Sequence, residues 1–425
     1  MKIKMWQNYT RSKRLMELRT GLWCTVLAAV LLCGCNKDDS EPPLTSSDLK
    51  MDVVLTPRSF ENQIYTSYLY QIPFLTDYQG VNIEGLLTKD LFKLSLVSPR
   101  SGKTVVLKMH ESDINEEVTE QYTLPGNADT LWMQPRMVWK YDALRRFDKT
   151  RNMVFRWTIS ADGKEVCSID RTFSVRSVSQ CVNALIIPPF ERKQGLSVNA
   201  DGAVEIGEMF AGYVEEESSA IDRILNLALQ EVNLPGGFNG YQSGSEDYLL
   251  QQMCAVWYVL QQAKISYSNA TDVPGQPDGV RVQNVRFFSQ ALAVSQANCV
   301  EGTCMLAAIY KRFDLHPFLI LLPNHMFLGI GDSEGKLTYF LETTMIGQVK
   351  LDDYSTEEEK WEACKANFKN AMATAQQEFA EAKPHIEAGD AYYDLIELDE
   401  VRKYIPSINY GSLQVDSKGK VTWNR

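Results

Sequence analysis

Hydrophobic and polar positions alternate along the chain in two rhythms. From about Lys50 to Val178 the apolar residues come in short runs rich in β-branched and aromatic side chains: Met51–Leu55, Phe92–Leu96, Thr104–Lys108 and Met153–Trp157. Turn signals such as Ser98–Gly102 and Ala161–Lys164 separate them, the pattern of strands joined by tight connections. The second of these turns lies between Arg156-Trp-Thr-Ile159 and Val166-Cys-Ser-Ile169 and reads as a hairpin. Residues 183–205 read as a connector, and beyond them the period lengthens. Ser218–Leu229 has apolar residues at 221, 224, 225 and 228, and Leu249–Leu260 is a second, more apolar helix. A third helix is predicted to run to Phe313, with Met305, Ala308, Ile309 and Arg312 on one face. Three strands follow, Phe318–Leu322, His325–Ile330 and Leu337–Glu342, with turns at Pro323-Asn324 and Asp332–Gly335. Ser355-Thr-Glu-Glu358 has the form of a capping box that opens a long helix, and Pro384 is expected to stop it. The aromatic and apolar tail 391–409 is expected to pack on the same domain.

Short strands at this spacing predict an all-β immunoglobulin-like sandwich over residues 50–180, with no catalytic constellation and a spacer or binding role. Helices followed by hairpin-linked strands predict an α+β domain with an antiparallel sheet over residues 181–425. The total of 425 residues is too long for one ordinary core and agrees with a multidomain chain.

The first residues change the picture of where the protein works. Residues 1–20 carry six basic groups and one acid, followed by a mostly apolar run from Gly21 to Leu32 that is too short to span a bilayer. The run ends in Leu32-Cys33-Gly34-Cys35, which resembles a bacterial lipoprotein signal over residues 1–34. That resemblance implies lipidation at Cys35 and an outer-membrane anchor. Residues 35–49 then form a flexible tether. The Lys37-Asp38-Asp39 that follows the cysteine resembles the surface-export signal of Bacteroides-type lipoproteins, so the cell surface is the expected location, with the periplasmic face as the alternative. Without residues 1–34 the chain keeps 37 basic and 53 acidic groups, a net charge of −16. That balance repels nucleic acid, and no nucleic-acid partner is expected. Six cysteines remain beyond Cys35, at 167, 181, 254, 299, 304 and 364, with no disulfide-framework spacing. Cys167 and Cys181 are left open as a pair or as two buried thiols.

The chemistry concentrates in Gln296-Ala-Asn-Cys-Val-Glu-Gly-Thr-Cys304. Cys-x4-Cys does not match structural zinc spacings and the chain has four histidines in all, so no metal and no cofactor are expected. Five residues of helix rotate by ~500°, which puts Cys299 and Cys304 on different faces. Asn298 is a good N-cap, making Cys299 the first helical residue, where the helix dipole and unpaired N–H groups favour a thiolate and can stabilise an oxyanion. Cys304 falls among Met305, Leu306 and Ala307 and reads as core. Glu301 and Glu357–Glu359 read as solvated or helix-start charges, His110 as a surface residue and His316 as structural. Pro235–Gly240 lacks the Lys-Ser/Thr of a phosphate cradle, and the loop Asn269–Gly279 is a candidate border for a cleft.

A nucleophilic cysteine needs a base and an orienter. A two-residue hairpin centred on Ser333–Glu334 would pair Ile330 with Leu337 and His325 with Glu342, a cross-strand pair on one face. A bulge at Gly335 would shift that register.

A helix-start cysteine, then a histidine at a strand start, then an acid on the next strand is the order of the transglutaminase-like, papain-like superfamily. The chain resembles its bacterial members over roughly 205–410, through Ala255–Leu260, Ile265–Asn269, Val282–Arg286, Asn298–Thr303, Leu322–Phe327, Leu341–Thr344 and Glu397–Arg402. The resemblance implies Cys299 as nucleophile, His325 as base and Glu342 as orienting acid, acting on a peptide or carboxamide in a peptide or protein substrate. Gln296 is a candidate second oxyanion donor. Glu342 stands where many members carry Asp, and Asn324 where a glycine is common. Hydrolysis is favoured over amine transfer. A surface-binding module on a retired fold of this type is the alternative.

Overall fold

The alternating runs become strands because each buries one row of side chains, as in the strictly alternating Phe92–Val97. The computed structural model describes residues 43–79, 87–125, 127, 129–191, 198–268, 275, 277–410, 412–416 and 421–424. The stretch read as a signal, Cys35, the start of the expected tether and most of the 269–279 loop lie outside these described residues. In the first half, β1 (Lys50–Leu55), β2 (Gln63–Tyr65), β3 (Phe92–Val97), β4 (Ser101–Met109), β5 (Val118–Pro125), β6 (Thr130–Met133), β7 (Arg151–Ala161) and β8 (Lys164–Arg176) form two sheets. Their orders are β1-β3-β6 and β2-β8-β7-β4-β5. Phe92 of β3 meets Trp157 of β7 at 5.0 Å between ring centroids and Phe173 of β8 at 5.6 Å, so one aromatic core joins the two sheets. The β7–β8 turn has Asp162 and Gly163 at φ 50° and 74°, the two left-handed positions a two-residue hairpin loop requires.

Two of the described elements in this half are α-helices. The helix α1 (Thr66–Gln79) contains Pro73, and its Tyr68, Leu69, Tyr70 and Ile72 are at most 1% exposed. A helix buried on all sides has no polar face, so its aromatic-rich sequence carries no helical stripe and reads as strand. Its first turn is tied to the following region, with Thr66 Oγ1 donating to the Arg176 carbonyl at 2.9 Å and Ser67 Oγ to the Gln180 carbonyl at 2.6 Å. A short helix, α2 (Tyr141–Arg145), packs against α1.

The expected connector is partly strand: β9 (Gln180–Ile186) pairs with β10 (Ala203–Glu205). Then come α3 (Ser219–Glu231), α4 (Glu246–Gln262), β11 (Ser266–Tyr267) and β12 (Val280–Asn284), which pairs on the other edge of β9. After α5 (Phe288–Val294) and β13 (Gln296–Ala297), helix α6 (Cys299–Arg312) leads into β14 (Pro317–Leu322), β15 (His325–Gly331) and β16 (Leu337–Leu341). The long α7 (Glu357–Ala388) precedes β17 (Asp394–Glu397) and α8 (Leu398–Val401), and the terminal strands β18 (Ser412–Val415) and β19 (Val421–Asn424) pair with each other. The sheet β16-β15-β14-β17 is antiparallel, so the 391–409 tail does pack here, through β17. Phe318, Ile320, Phe327 and Phe340 on one face cluster with Ala375, Phe379 and Ile386 of α7, while α6 contacts β14 and β15. The chain is thus mixed α and β with mostly antiparallel sheets, and Thr45–Arg425 forms one contact unit.

Two expectations for α7 change. Its capping box is Thr356 with Glu359, one residue later than read, and the helix continues through Pro384 to Ala388. Proline removes one N–H near the end of a helix already held on the sheet by its apolar face. Termination falls to Gly389, whose N–H reaches the His385 and Ile386 carbonyls. No helix among the described residues is long and apolar enough to cross a membrane.

Candidate active site

Asn298 caps α6. Its side chain accepts from Glu301 N at 2.9 Å, and Glu301 Oε2 accepts from Asn298 N at 2.9 Å. Of the two readings for Glu301, the helix-start charge holds and the solvated one does not: it is 2% exposed and gripped by Arg286, with Nε on Oε1 at 2.9 Å and Nη2 on Oε2 at 2.8 Å. The Arg286 backbone N–H adds a bond at 2.7 Å, and Asn298 Nδ2 ties the cap to the Asn284 carbonyl at 3.1 Å. A buried two-pronged ion pair therefore sets the position of the helix start and of Cys299 on it. Cys304, as helix phase implies, is buried elsewhere, with Sγ 3.7 Å from the Phe210 carbonyl, and burial pushes its thiol up. All six described cysteines are free, Cys167 and Cys181 among them.

His325 opens β15 opposite Leu322, and its Nε2 lies 2.7 Å from Glu342 Oε2. The contact arises differently from the expected direct pairing. The β15–β16 loop has three residues, closed by Asp332 N–H to the Lys336 carbonyl at 2.8 Å with Gly335 at φ 79°. A second one-residue shift lies between Ile330 and Gly331, giving Ile330↔Tyr339 and Leu328↔Leu341. Two one-residue slips restore the face, since side chains alternate with period two. Extended by one residue, this register sets Glu342 beside Phe327, diagonal to His325. Cross-strand diagonals are ~7–8 Å apart, within reach of long side chains only. The extra methylene of Glu over Asp suits that diagonal. Glu342 lies just past β16, where its Oε1 accepts from Thr344 N at 2.8 Å and Thr344 Oγ1 at 2.5 Å, so the turn that follows holds it.

A hydroxyl contact joins α6 to that turn. Thr303 Oγ1 donates to the Cys299 carbonyl at 2.7 Å and lies 3.1 Å from Thr343 Oγ1, while Thr343 Oγ1 reaches the same carbonyl at 3.4 Å. A Cβ on Gly302 would come within 3.3 Å of Thr343 Oγ1, so the glycine permits this approach. Asn324, at φ 60°, occupies the left-handed position of the Pro323-Asn324 turn, which explains why glycine suits that place and why Asn serves.

Electrostatically, burial alone would push the His325 imidazole down, but hydrogen bonding and charge from Cys299 and Glu342 outweigh it and hold it up at about 10. Glu342 is also opposed by burial, and the His325 and Thr344 contacts hold it below its ordinary value. With Glu342 on Nε2, the other ring nitrogen remains for the sulfur. Tyr267 on β11 is 42% exposed at the rim, raised first by burial and then by the charges of Cys299 and Glu342. Gln296 is exposed on β13 beside Ser266, with no hydrogen bond from its side chain to Cys299 or His325. His316, outside the site, pairs with Asp399.

One side chain near His325 has no signal in the sequence. Glu378 of α7 brings its Oε2 to 3.7 Å from His325 Nε2. Its arrival depends on how α7 is rotated on the sheet, which periodicity alone does not define. His325, Glu342 and Glu378 are the one group among the described residues whose ligand-type atoms lie within 4.8 Å of one another. Tetrahedral zinc at ~2.0–2.1 Å needs ligand atoms ~3.3 Å apart. The 2.7 Å Nε2–Oε2 contact is the spacing of a shared proton, so the set suits hydrogen bonding better than a metal as it stands. No protein-family model matches the chain, nor does any curated protein or solved structure.

Proposed function

We propose that the chain is a lipid-anchored surface protein whose transglutaminase-like, papain-like domain opens peptide or carboxamide bonds through a thioester on Cys299, behind an immunoglobulin-like sandwich. The observation that carries this is the approach of two groups to the imidazole of His325 on β15: Cys299 at a capped helix start, and Glu342 at 2.7 Å on Nε2. Two sheets sharing one aromatic core support the sandwich, and a cysteine helix lying against an antiparallel sheet supports the papain-like reading.

In this mechanism the Cys299 thiolate attacks the carbonyl carbon, and the developing oxyanion takes N–H groups at the start of α6. His325, protonated at neutral pH, gives its proton to the leaving amine as the C–N bond breaks, leaving a thioester. The neutral imidazole then takes a proton from water, whose oxygen attacks the thioester. The acid is released and the thiolate restored. An amine in place of that water would give transamidation. Glu342 keeps the ring aimed throughout.

The test is digestion of a peptide library in the presence of a primary-amine acceptor, comparing wild type with Cys299→Ala. Cleavage is expected in wild type and lost in the variant. Cleavage and amine incorporation that both ignore the substitution would leave the surface-binding alternative.

A further inference from the structure

Glu378 plays no part in the mechanism just given, yet it points at the same nitrogen as Glu342. Its Oε2 is buried and accepts no hydrogen bond, 3.7 Å from His325 Nε2. A buried carboxylate oxygen that accepts no hydrogen bond is unusual, so its position calls for a reason. The approach is set by core packing. Phe379, the next residue on α7, stacks on Phe340 of β16 with ring centroids 4.4 Å apart. A shift of about 1 Å, within the range of a side-chain rotation, would bring Glu378 to hydrogen-bonding distance of Nε2.

We propose that Glu378 is a second orienting carboxylate for His325, held by α7 so that it accepts the Nε2–H when Glu342 is removed or turned away. It is a positioning residue, acting through His325, and the idea rests on the assignment of His325 as the base. The groups facing it are His325, Glu342 and Glu381. Burial, then hydrogen bonding and charge from Glu342, push Glu378 up to about 7, against the pull of His325. Near neutrality the two carboxylates can therefore share a proton, which keeps Glu378 off the imidazole while Glu342 is in place. Loss of Glu342 removes that restraint and vacates the nitrogen together.

The test follows the protonation midpoint of His325 by NMR of the full chain labelled with 15N-histidine, the signal being assigned by its absence in His325→Ala. Glu378→Ala in the wild-type background is expected to move the midpoint little. In the Glu342→Ala background it is expected to lower the midpoint by at least about one further pH unit, a tenfold change in proton affinity. Glu378→Gln, close in shape, should repeat the result and guards against a folding defect in α7. An unchanged midpoint on adding either substitution to Glu342→Ala overturns the proposal. A parallel measurement, the rate at which iodoacetamide modifies Cys299, keeps the two ideas apart. If His325→Ala leaves that rate unchanged, the assignment of His325 as base fails, while the NMR comparison still reads whether Glu378 holds the ring.

Discussion

Two histidine–carboxylate pairs sit on the β14–β15 hairpin, and their geometry is nearly the same. His325 meets Glu342 at 2.7 Å, and His316, just before β14, meets Asp399 at 2.6 Å. Their neighbours differ. Asp399 also pairs with Lys311, and the His316 ring lies flat on Tyr241 at 5.4 Å and 16°. That imidazole is stacked on a tyrosine, and its acid is divided between two bases. His325 has an acid held by its own turn and a cysteine at a helix start. A tight imidazole–carboxylate contact is therefore no mark of a reactive site by itself. The third group and the element presenting it are what the proposed reactivity of His325 rests on.

The sharpest way to break this comparison is to remove each ring. His325→Ala should slow iodoacetamide modification of Cys299 by about a hundredfold or more, the usual worth of a positioned acid–base group. His316→Ala should leave the rate within about twofold, as expected of a site without shared partners. Mass spectrometry of the Cys299 peptide reads both, and equal losses would erase the distinction. Next, Arg286→Ala should cost about 3 kcal/mol in urea unfolding, because Glu301 would remain buried without its guanidinium. Cys299 reactivity should fall with it.

The pH dependence gives a directional effect. The folded-state value of His325 is raised, to about 10 from 6.5. Its stabilising contribution is therefore fully present below about 6.5 and lost as pH rises through about 10. Unfolding free energies of wild type and His325→Ala should converge over that window, and a constant gap would show that the ring gains nothing from its partners. Smallest of all, Asn324→Ala should cost about 1–2 kcal/mol at the left-handed turn before His325, and Asn324→Gly should cost less. Equal costs would indicate that the Asn side chain, rather than the backbone, is needed there.

What could be read from the amino acids follows what local chemistry determines. The cap at Asn298, the different faces of Cys299 and Cys304, and the Asp162-Gly163 hairpin depend on neighbours within a few residues. The β15–β16 register did not yield, because two one-residue slips taken together leave the same faces as none. Residues that act across long sequence separations were equally hidden. Glu301 looked exposed until Arg286, fifteen residues earlier, closed on it, and α1 offered no polar face to mark it as a helix. Glu378 depended on the rotation of α7.

The segment from Asn298 to Thr303 has a use beyond this one molecule, as a search pattern. Asn298 caps, Glu301 closes the cap and anchors Arg286, Gly302 admits Thr343, and Thr303 bonds the carbonyl of Cys299. Five of the six letters in Asn-Cys-Val-Glu-Gly-Thr thus answer to separate contacts, and Val300 answers only to burial. A distant homologue that had lost its cysteine would still need the other four to seat the helix. A pattern weighted on them, with an arginine some twelve positions before the Asn, would recover chains without the cysteine that a cysteine–histidine–acid query passes over.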